Sequence, residues 1–176
     1  MKRKVLVLDI DGTLTNSKKE ITPATQEAIF ELQRRGHVVV LASGRPTAGL
    51  RVMTEKLRFA ENGGYILSYN GGCVTYVPTG ETVFKNLLPD YVPAWMQAYA
   101  RDHEMGMCTY LGQEMLCGTA CSRYLEDEAR INGIDVRLVD SFEPYFHTDF
   151  SRCSLPLRPL AQRSRKSACS TGSSIA

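Results

Sequence analysis

No apolar run in the sequence approaches the roughly 20 residues that a membrane-spanning helix requires, so no membrane partner is expected. Neither sign of charge dominates: 21 basic residues face 19 acidic ones, for a net charge of +2, and the whole chain lacks the basic excess of a nucleic-acid binder. A secretion signal is also missing. Met1-Lys2-Arg3-Lys4 is basic, but only a strand-length apolar stretch follows before Asp9, with no small-residue cleavage site. A cytoplasmic location is therefore expected. Histidine is scarce, and His37, His103 and His147 are scattered. Of the six cysteines, Cys117 and Cys121 could share a helix face as half a metal site, but no second Cys or His pair stands at zinc-like spacing. Without a secretion signal, Cys73, Cys108, Cys117, Cys121, Cys153 and Cys169 are expected to be reduced and structural.

What is present is enough apolar residue, 43% of 176, for one sizeable core or for a core domain with a smaller second one. Val5 to Leu8 is a continuous apolar run, the pattern of a strand buried on both faces. Thr22-Pro23 supplies an N-cap and a first-turn proline, Ala28, Ile29 and Leu32 recur at helical spacing, and Gly36 closes the helix after Arg34-Arg35. "HVVVLA", His37 to Ala42, is a second buried strand, so the chain opens as a βαβ unit with a parallel sheet. Thr47 to Leu57 is expected to be helical, Tyr65 to Tyr69 a third strand, and Cys73 to Val77 with Thr82 to Phe84 a hairpin. Beyond Pro89 the pattern changes: a helix over Tyr91 to Ala100, strands over Met107 to Leu111 and Glu114 to Cys117, a helix over Ser122 to Asn132 and a strand over Val136 to Val139. That second part reads as an α+β module joined to the first.

The chemistry gathers at strand ends. In an open parallel sheet, ligands bind at the carboxyl ends of the strands. "VLVLDIDGTLTNS" places Asp9 at such an end with Asp11 two residues on. Two close carboxylates repel unless a proton or cation lies between them, and a hard cation such as Mg²⁺ takes oxygen ligands. Gly12 lets the backbone turn closely around an anion. Ser43 ends the second strand in "LASGRP", and Asn70 follows the third in "SYNGG". A cation and amide donors around a nucleophilic carboxylate describe a phosphoryl-transfer site.

These segments resemble a known family. "DIDGTLTNS" is similar to motif I (DxDGT) of the haloacid dehalogenase superfamily, "LASGRP" to the motif II segment of its Cof-type phosphatases of subfamily IIB, and "SYNGG" to their Asn-Gly segment. The resemblance runs over roughly residues 4 to 150. It implies an α/β fold: a Rossmann-like core with a parallel sheet, of which residues 1–84 would be the N-terminal part, and a C2-type α+β cap over residues 85–150. By position, Asp9 would be the nucleophile that becomes an aspartyl-phosphate, and Asp11 the general acid and then base. Mg²⁺ would sit on the Asp9 carboxylate and the Asp11 carbonyl. Ser43 would hold the phosphoryl group, with Gly44 and Arg45 shaping that turn, and Gly12 and Asn70 would help to bind phosphate. The implied partner is a small phosphorylated metabolite, often a sugar phosphate.

Blander roles compete at several positions. Ser43 could cap its own turn, Asn70-Gly71 could be a tight turn, and Arg45 could be a solvated loop charge. Glu126-Asp127-Glu128 reads as a solvated helix face, and Trp95 and Tyr110 read as core of the second module. The family's later lysine and its GDxxND-like acidic segment have no counterpart here. Residues 151–176 instead hold five basic residues, no acidic residue and seven serines, leaving 16 basic against 19 acidic residues before them. From about 151 onward a shifted reading frame or aberrant end is expected, with a disordered basic tail as the alternative. The expected function is thus a Mg²⁺-dependent phosphatase lineage with this chain impaired. A phosphomutase or phosphotransferase, and a non-catalytic phosphate-binding or regulatory module, stand as alternatives.

Overall fold

The computed structural model describes residues 2–118, 123–146 and 157–159. Two sheets organise them. The first has five strands in the order β1-β2-β3-β4-β5: β1 (Val5–Asp9), β2 (Val38–Ala42), β3 (Tyr65–Ser68), β4 (Cys73–Tyr76) and β5 (Glu81–Lys85). β1, β2 and β3 run parallel, and β4 and β5 extend the sheet antiparallel, joined by the expected hairpin. Helix α1 (Pro23–Arg34) makes the crossover between β1 and β2. It starts where local chemistry demands: the Thr22 hydroxyl accepts the Thr25 N–H at 3.2 Å, and Pro23 has no N–H to leave unpaired. Ile29 faces the core, and Gln33, buried beside it, donates through Nε2 to the Leu57 carbonyl.

The stretch expected as one helix over Thr47 to Leu57 is broken into a 3₁₀ turn and a short helix, with a further short helix just beyond it. A 3₁₀ turn over Thr47–Leu50 leads into α2 (Arg51–Lys56), and Arg58, at φ 52°, separates it from α3 (Phe59–Asn62). The core of this half is Ile10, Leu14, Ile29, Val39, Leu41, Leu50, Leu57, Phe59 and Ile66. β1 departs from expectation. Its apolar run suits burial on both faces, yet among the described residues β1 ends its sheet, and Val5 and Val7 are 63% and 56% exposed. A strand's own sequence says which faces it could bury, and what covers them lies elsewhere in the chain.

The second sheet has the order β8-β7-β6-β9: β6 (Met105–Leu111), β7 (Glu114–Gly118), β8 (Asp135–Val139) and β9 (Leu157–Pro159). β6 and β7 form a hairpin, and β7 and β8 are parallel. β9 pairs antiparallel with β6, so three residues of the stretch read as an irregular tail have a place in a sheet. The rest of that stretch lies outside the described residues, as do Cys121 and His147. Helices α4 (Tyr91–Asp102) and α5 (Arg123–Asn132) accompany this sheet. Tyr110 is buried as expected, but Trp95 is 59% exposed: α4 packs through Pro93, Met96 and Ala100 and turns Trp95 outward beside Tyr99.

The two sheets share a hydrophobic cluster. Tyr69 and Cys73 from the first half pack with Cys108, Tyr110, Met115, Cys117, Leu125, Ala129 and Ile134 from the second. Tyr69 and Tyr110 meet with ring centroids 5.7 Å apart. Burial raises the Tyr110 hydroxyl pKa, and its O–H donates to Glu128 at 3.5 Å. Cys73, Cys108 and Cys117 are buried free thiols. No helix among the described residues is long and apolar enough to cross a membrane.

Candidate active site at the carboxyl ends of β1, β2 and β3

The parallel register brings three strand ends together. Asp9, the last residue of β1, lies opposite Ala42, the last of β2. Ser43 follows, and its N–H donates to the Leu67 carbonyl at 2.9 Å. The Asn70 N–H donates in turn to the Ser43 carbonyl at 3.2 Å. Gly44 lies against the Asn70 amide, where a Cβ would come 2.9 Å from Asn70 Oδ1. Asn70 itself has left-handed backbone, φ 55°, which asparagine tolerates better than most residues. Five of the six candidates thus lie on one rim, Ser43, Gly44 and Asn70 in mutual contact, Asp9 at the end of β1 and Asp11 on the loop that follows.

The loop after β1 folds back on its own strand. Asp9 and Ile10 carbonyls accept the N–H groups of Leu14 and Thr15 at 3.1 and 3.0 Å, and the Thr15 hydroxyl also donates to Ile10 O. Gly12, the sixth candidate, takes φ +86° within this loop, a conformation that costs glycine nothing and a side chain of L chirality a good deal. Asp11 is held from two sides. Lys19 Nζ donates at 2.7 Å, and Arg45 Nη2 reaches both carboxylate oxygens at 3.1 Å. The Lys19 hydrogen bond, then that of Arg45, hold the Asp11 carboxyl below the usual carboxylate range, with partial burial pushing the other way.

Arg45 is therefore not a solvated loop charge. Its side chain is 16% exposed, and its Nη1 also approaches the Ile131 carbonyl of α5 at 3.5 Å. Ser43 Oγ accepts the Arg45 N–H at 3.2 Å across its own turn. A hydroxyl used as an acceptor still has its proton to donate. Lys19 carried no sequence signal: eight residues separate it from Asp11, and only the folding back of the loop unites them. Of the acidic run in α5, Asp127 pairs with Arg130 while Glu128 turns inward to accept from Asn132. A cavity of about 260 Å³ lies away from this rim, lined among others by Thr47, Thr54, Ile66, Thr75 and Gln113, and none of the six candidates borders it.

Residues 6–155 match the haloacid dehalogenase-like hydrolase family. The chain belongs to that family. A crystal structure of a haloacid dehalogenase-like hydrolase from Bacteroides thetaiotaomicron is 40% identical and superposes with a TM-score of 0.76, over 81% of this chain and 54% of that one. A Streptococcus pyogenes relative is 38% identical over 88 residues, 50% of this chain and 33% of the relative. HMP-PP phosphatase of Cronobacter sakazakii is 30% identical over 92 residues, 52% of this chain and 32% of that protein. The chain therefore spans about a third of the length of these sequence relatives and about half of the solved structure.

Proposed function

We propose that the strand-end rim serves phosphoric monoester hydrolysis of a small phosphorylated metabolite, a sugar phosphate being the favoured class, with Mg²⁺ as the cation. The observation that supports this most is the adjacency of Asp9, Ser43 and Asn70 at three strand ends, in a chain of the haloacid dehalogenase-like family. The name of the Cronobacter sakazakii relative, HMP-PP phosphatase, agrees with a small phosphorylated substrate.

In this reading Asp9 attacks phosphorus and carries the phosphoryl group until water removes it. Ser43 donates its hydroxyl proton to a phosphate oxygen, and the Asn70 amide steadies the turn that presents it. Gly44 lets Asn70 approach that turn, and Gly12 lets the neighbouring loop bend around an anion. Asp11 protonates the leaving oxygen and then takes a proton from water. As the structure stands, Lys19 and Arg45 keep Asp11 ionised, so donation requires those contacts to loosen when substrate arrives. Residues 1–84 act as the core and residues 85–150 as a cap that selects the substrate.

The donors fit a hard cation in a sparse way. Asp9 and Asp11 offer oxygen, and among the described residues no group of three or more His, Cys, Asp and Glu side chains gathers to hold a metal. Mg²⁺ commonly binds through one or two carboxylates with water and phosphate oxygens completing its shell. When bound, it would lessen the repulsion between the Asp9 carboxylate and the phosphate dianion. Turnover by this chain is accordingly expected to be slow.

The test is phosphate release by the purified 176-residue chain from a panel of sugar phosphates with and without Mg²⁺. Slow release that needs Mg²⁺ and vanishes in Asp9→Asn is the expected result. Release that survives Asp9→Asn would refute the nucleophile. Retention of phosphate compounds without release would support a binding module instead.

A further inference from the structure

Two cysteines face each other across the β6–β7 hairpin, and we infer that Cys108 and Cys117 form a reversible dithiol–disulfide pair, an oxidation site in the cluster shared by the two sheets. The hairpin turns in two residues. Gly112, at φ +59°, takes the first central position and Gln113 the second, between the facing residues Leu111 and Glu114. Glycine with positive φ at the first position of a two-residue loop is the II′ arrangement, whose twist suits a hairpin. The residues flanking such a turn are hydrogen-bonded to each other, and hydrogen-bonded and non-hydrogen-bonded pairs then alternate along the ladder. Counting back from the turn, Tyr110 with Met115 is non-hydrogen-bonded, Thr109 with Leu116 hydrogen-bonded, and Cys108 with Cys117 non-hydrogen-bonded.

That placement decides the chemistry. Opposed residues of a non-hydrogen-bonded pair have Cα atoms about 4.5 Å apart and side chains on the same face. A disulfide spans Cα separations of about 4.4–6.8 Å, so the two thiols can join with no change of register. A bond made near the short limit of that range is more easily reduced than a relaxed one. Both cysteines are reduced in the structure and 0% exposed. Cys73 shares their cluster but faces Ser68 on β3 and Lys85 on β5, with its Sγ 3.7 Å from Thr75 Oγ1. Among the described residues no other two cysteines are opposed across a ladder. Full burial selects a small oxidant, hydrogen peroxide. One sulfur attacks a peroxide oxygen, the O–O bond breaks, and the departing hydroxide takes the thiol proton to become water, leaving a sulfenic acid. The opposed sulfur attacks the sulfenic sulfur, the S–S bond forms, and the sulfenic hydroxyl leaves with the second thiol proton as another water. Two thiols are thereby oxidised and one peroxide reduced. Attack on buried sulfur waits on local opening, so the rate should level off as peroxide rises. The inference does not rest on the phosphatase reading, because its readout is thiol chemistry.

The experiment treats the reduced full chain with hydrogen peroxide, removes the peroxide with catalase, alkylates the remaining thiols in urea and maps the peptides by mass. Cys108 and Cys117 are expected to lose alkylation together, to appear as the predominant linked pair, and to regain both thiols on treatment with dithiothreitol. Cys73→Ala is expected to leave that link unchanged. The same oxidation of the chain unfolded in urea is the control. There Cys117 lies closer along the chain to Cys121 than to Cys108, and loop closure favours the nearer partner. Folding is therefore expected to change the partner of Cys117. Persistence of both thiols in the folded chain overturns the inference, as does a predominant link from Cys117 to any other cysteine. Oxidation to sulfinic acid in place of the disulfide overturns it too, and so does a Cys108–Cys117 link no more abundant in the folded chain than in the unfolded one.

Discussion

Gly49→Ala tests how the two halves are seated against each other. Gly49 lies in the 3₁₀ turn Thr47–Leu50, and α5 crosses it so closely that a Cβ would come 2.5 Å from Asn132 Oδ1 and 3.0 Å from Asn132 Cβ and Cγ. Asn132 has little room to yield. It is buried, and its Nδ2 donates to the Glu128 carbonyl at 2.9 Å and to Glu128 Oε1 at 3.2 Å. Its Oδ1 is buried without a hydrogen-bond partner, facing the glycine. In an open helical turn, replacing glycine by alanine stabilises by about 0.4–1 kcal/mol through the unfolded chain. Overpacking of this kind costs about 1–3 kcal/mol, so the net change is a destabilisation of roughly 1–2 kcal/mol. For a chain of this length that lowers Tm by about 2–8 °C. Urea unfolding and calorimetry of Gly49→Ala, Asn132→Ala and the double variant measure it. In the Asn132→Ala background the Oδ1 and Cγ contacts are gone and only the 3.0 Å approach to Cβ remains, so the alanine should cost clearly less than in the wild-type background. A stabilised Gly49→Ala single variant would refute the close seat.

Asp11 gives a pH prediction. Its folded pKa is depressed, so the stability it contributes is present above its unfolded pKa, about 3.9, and is lost as pH falls through the folded value. The stability gap between wild type and Asp11→Asn should therefore shrink below about pH 4, and Lys19→Ala should narrow it further at higher pH. With Asp11 42% exposed the gap should stay within about 1 kcal/mol, and a larger one in urea titrations would mean that Asp11 is more enclosed than the structure places it. Trp95 is the sole tryptophan, so its fluorescence reports one site. Emission should resemble that of a solvated indole and be readily quenched by iodide, and Trp95→Ala should cost no more than about 0.5 kcal/mol. A blue-shifted, shielded emission would contradict its outward orientation.

Elements whose limits are set by neighbouring residues were legible from sequence. Thr22-Pro23 and Gly36 bracket α1 by local hydrogen bonding, and the β4–β5 hairpin is announced by Pro78-Thr79-Gly80-Glu81. The adjacency of Asp9, Ser43 and Asn70 followed from strand-end logic, since parallel register aligns those ends. What stayed hidden depended on partners far along the chain. Continuous apolar residues in β1 suit two covered faces, and among the described residues the face carrying Val5 and Val7 is left exposed. The breaks between Thr47 and Asn62 reflect how that stretch must bend to sit under α5 and over Phe59, which no periodicity encodes. Trp95 and Tyr110 have equal claims to a core by composition, and only the docking of α4 separates them. The Lys19–Asp11–Arg45 contacts join residues 8 and 34 positions apart, by charges that sequence alone would have placed in water.

The aromatic seam formed by Tyr69 and Tyr110 bears on how the rim is reached. Parting the sheets would wet both rings together with Cys73, Cys108 and Met115, all now buried. At roughly 25 cal/mol per Å² of apolar surface, and 150–250 Å² for each ring, the two tyrosines alone put the cost at several kcal/mol. Wide gaping is thus a rare excursion, and the two halves should melt in a single cooperative step. Asp9 and Asp11 are both exposed as the structure stands, so a solute reaches them without parting the seam.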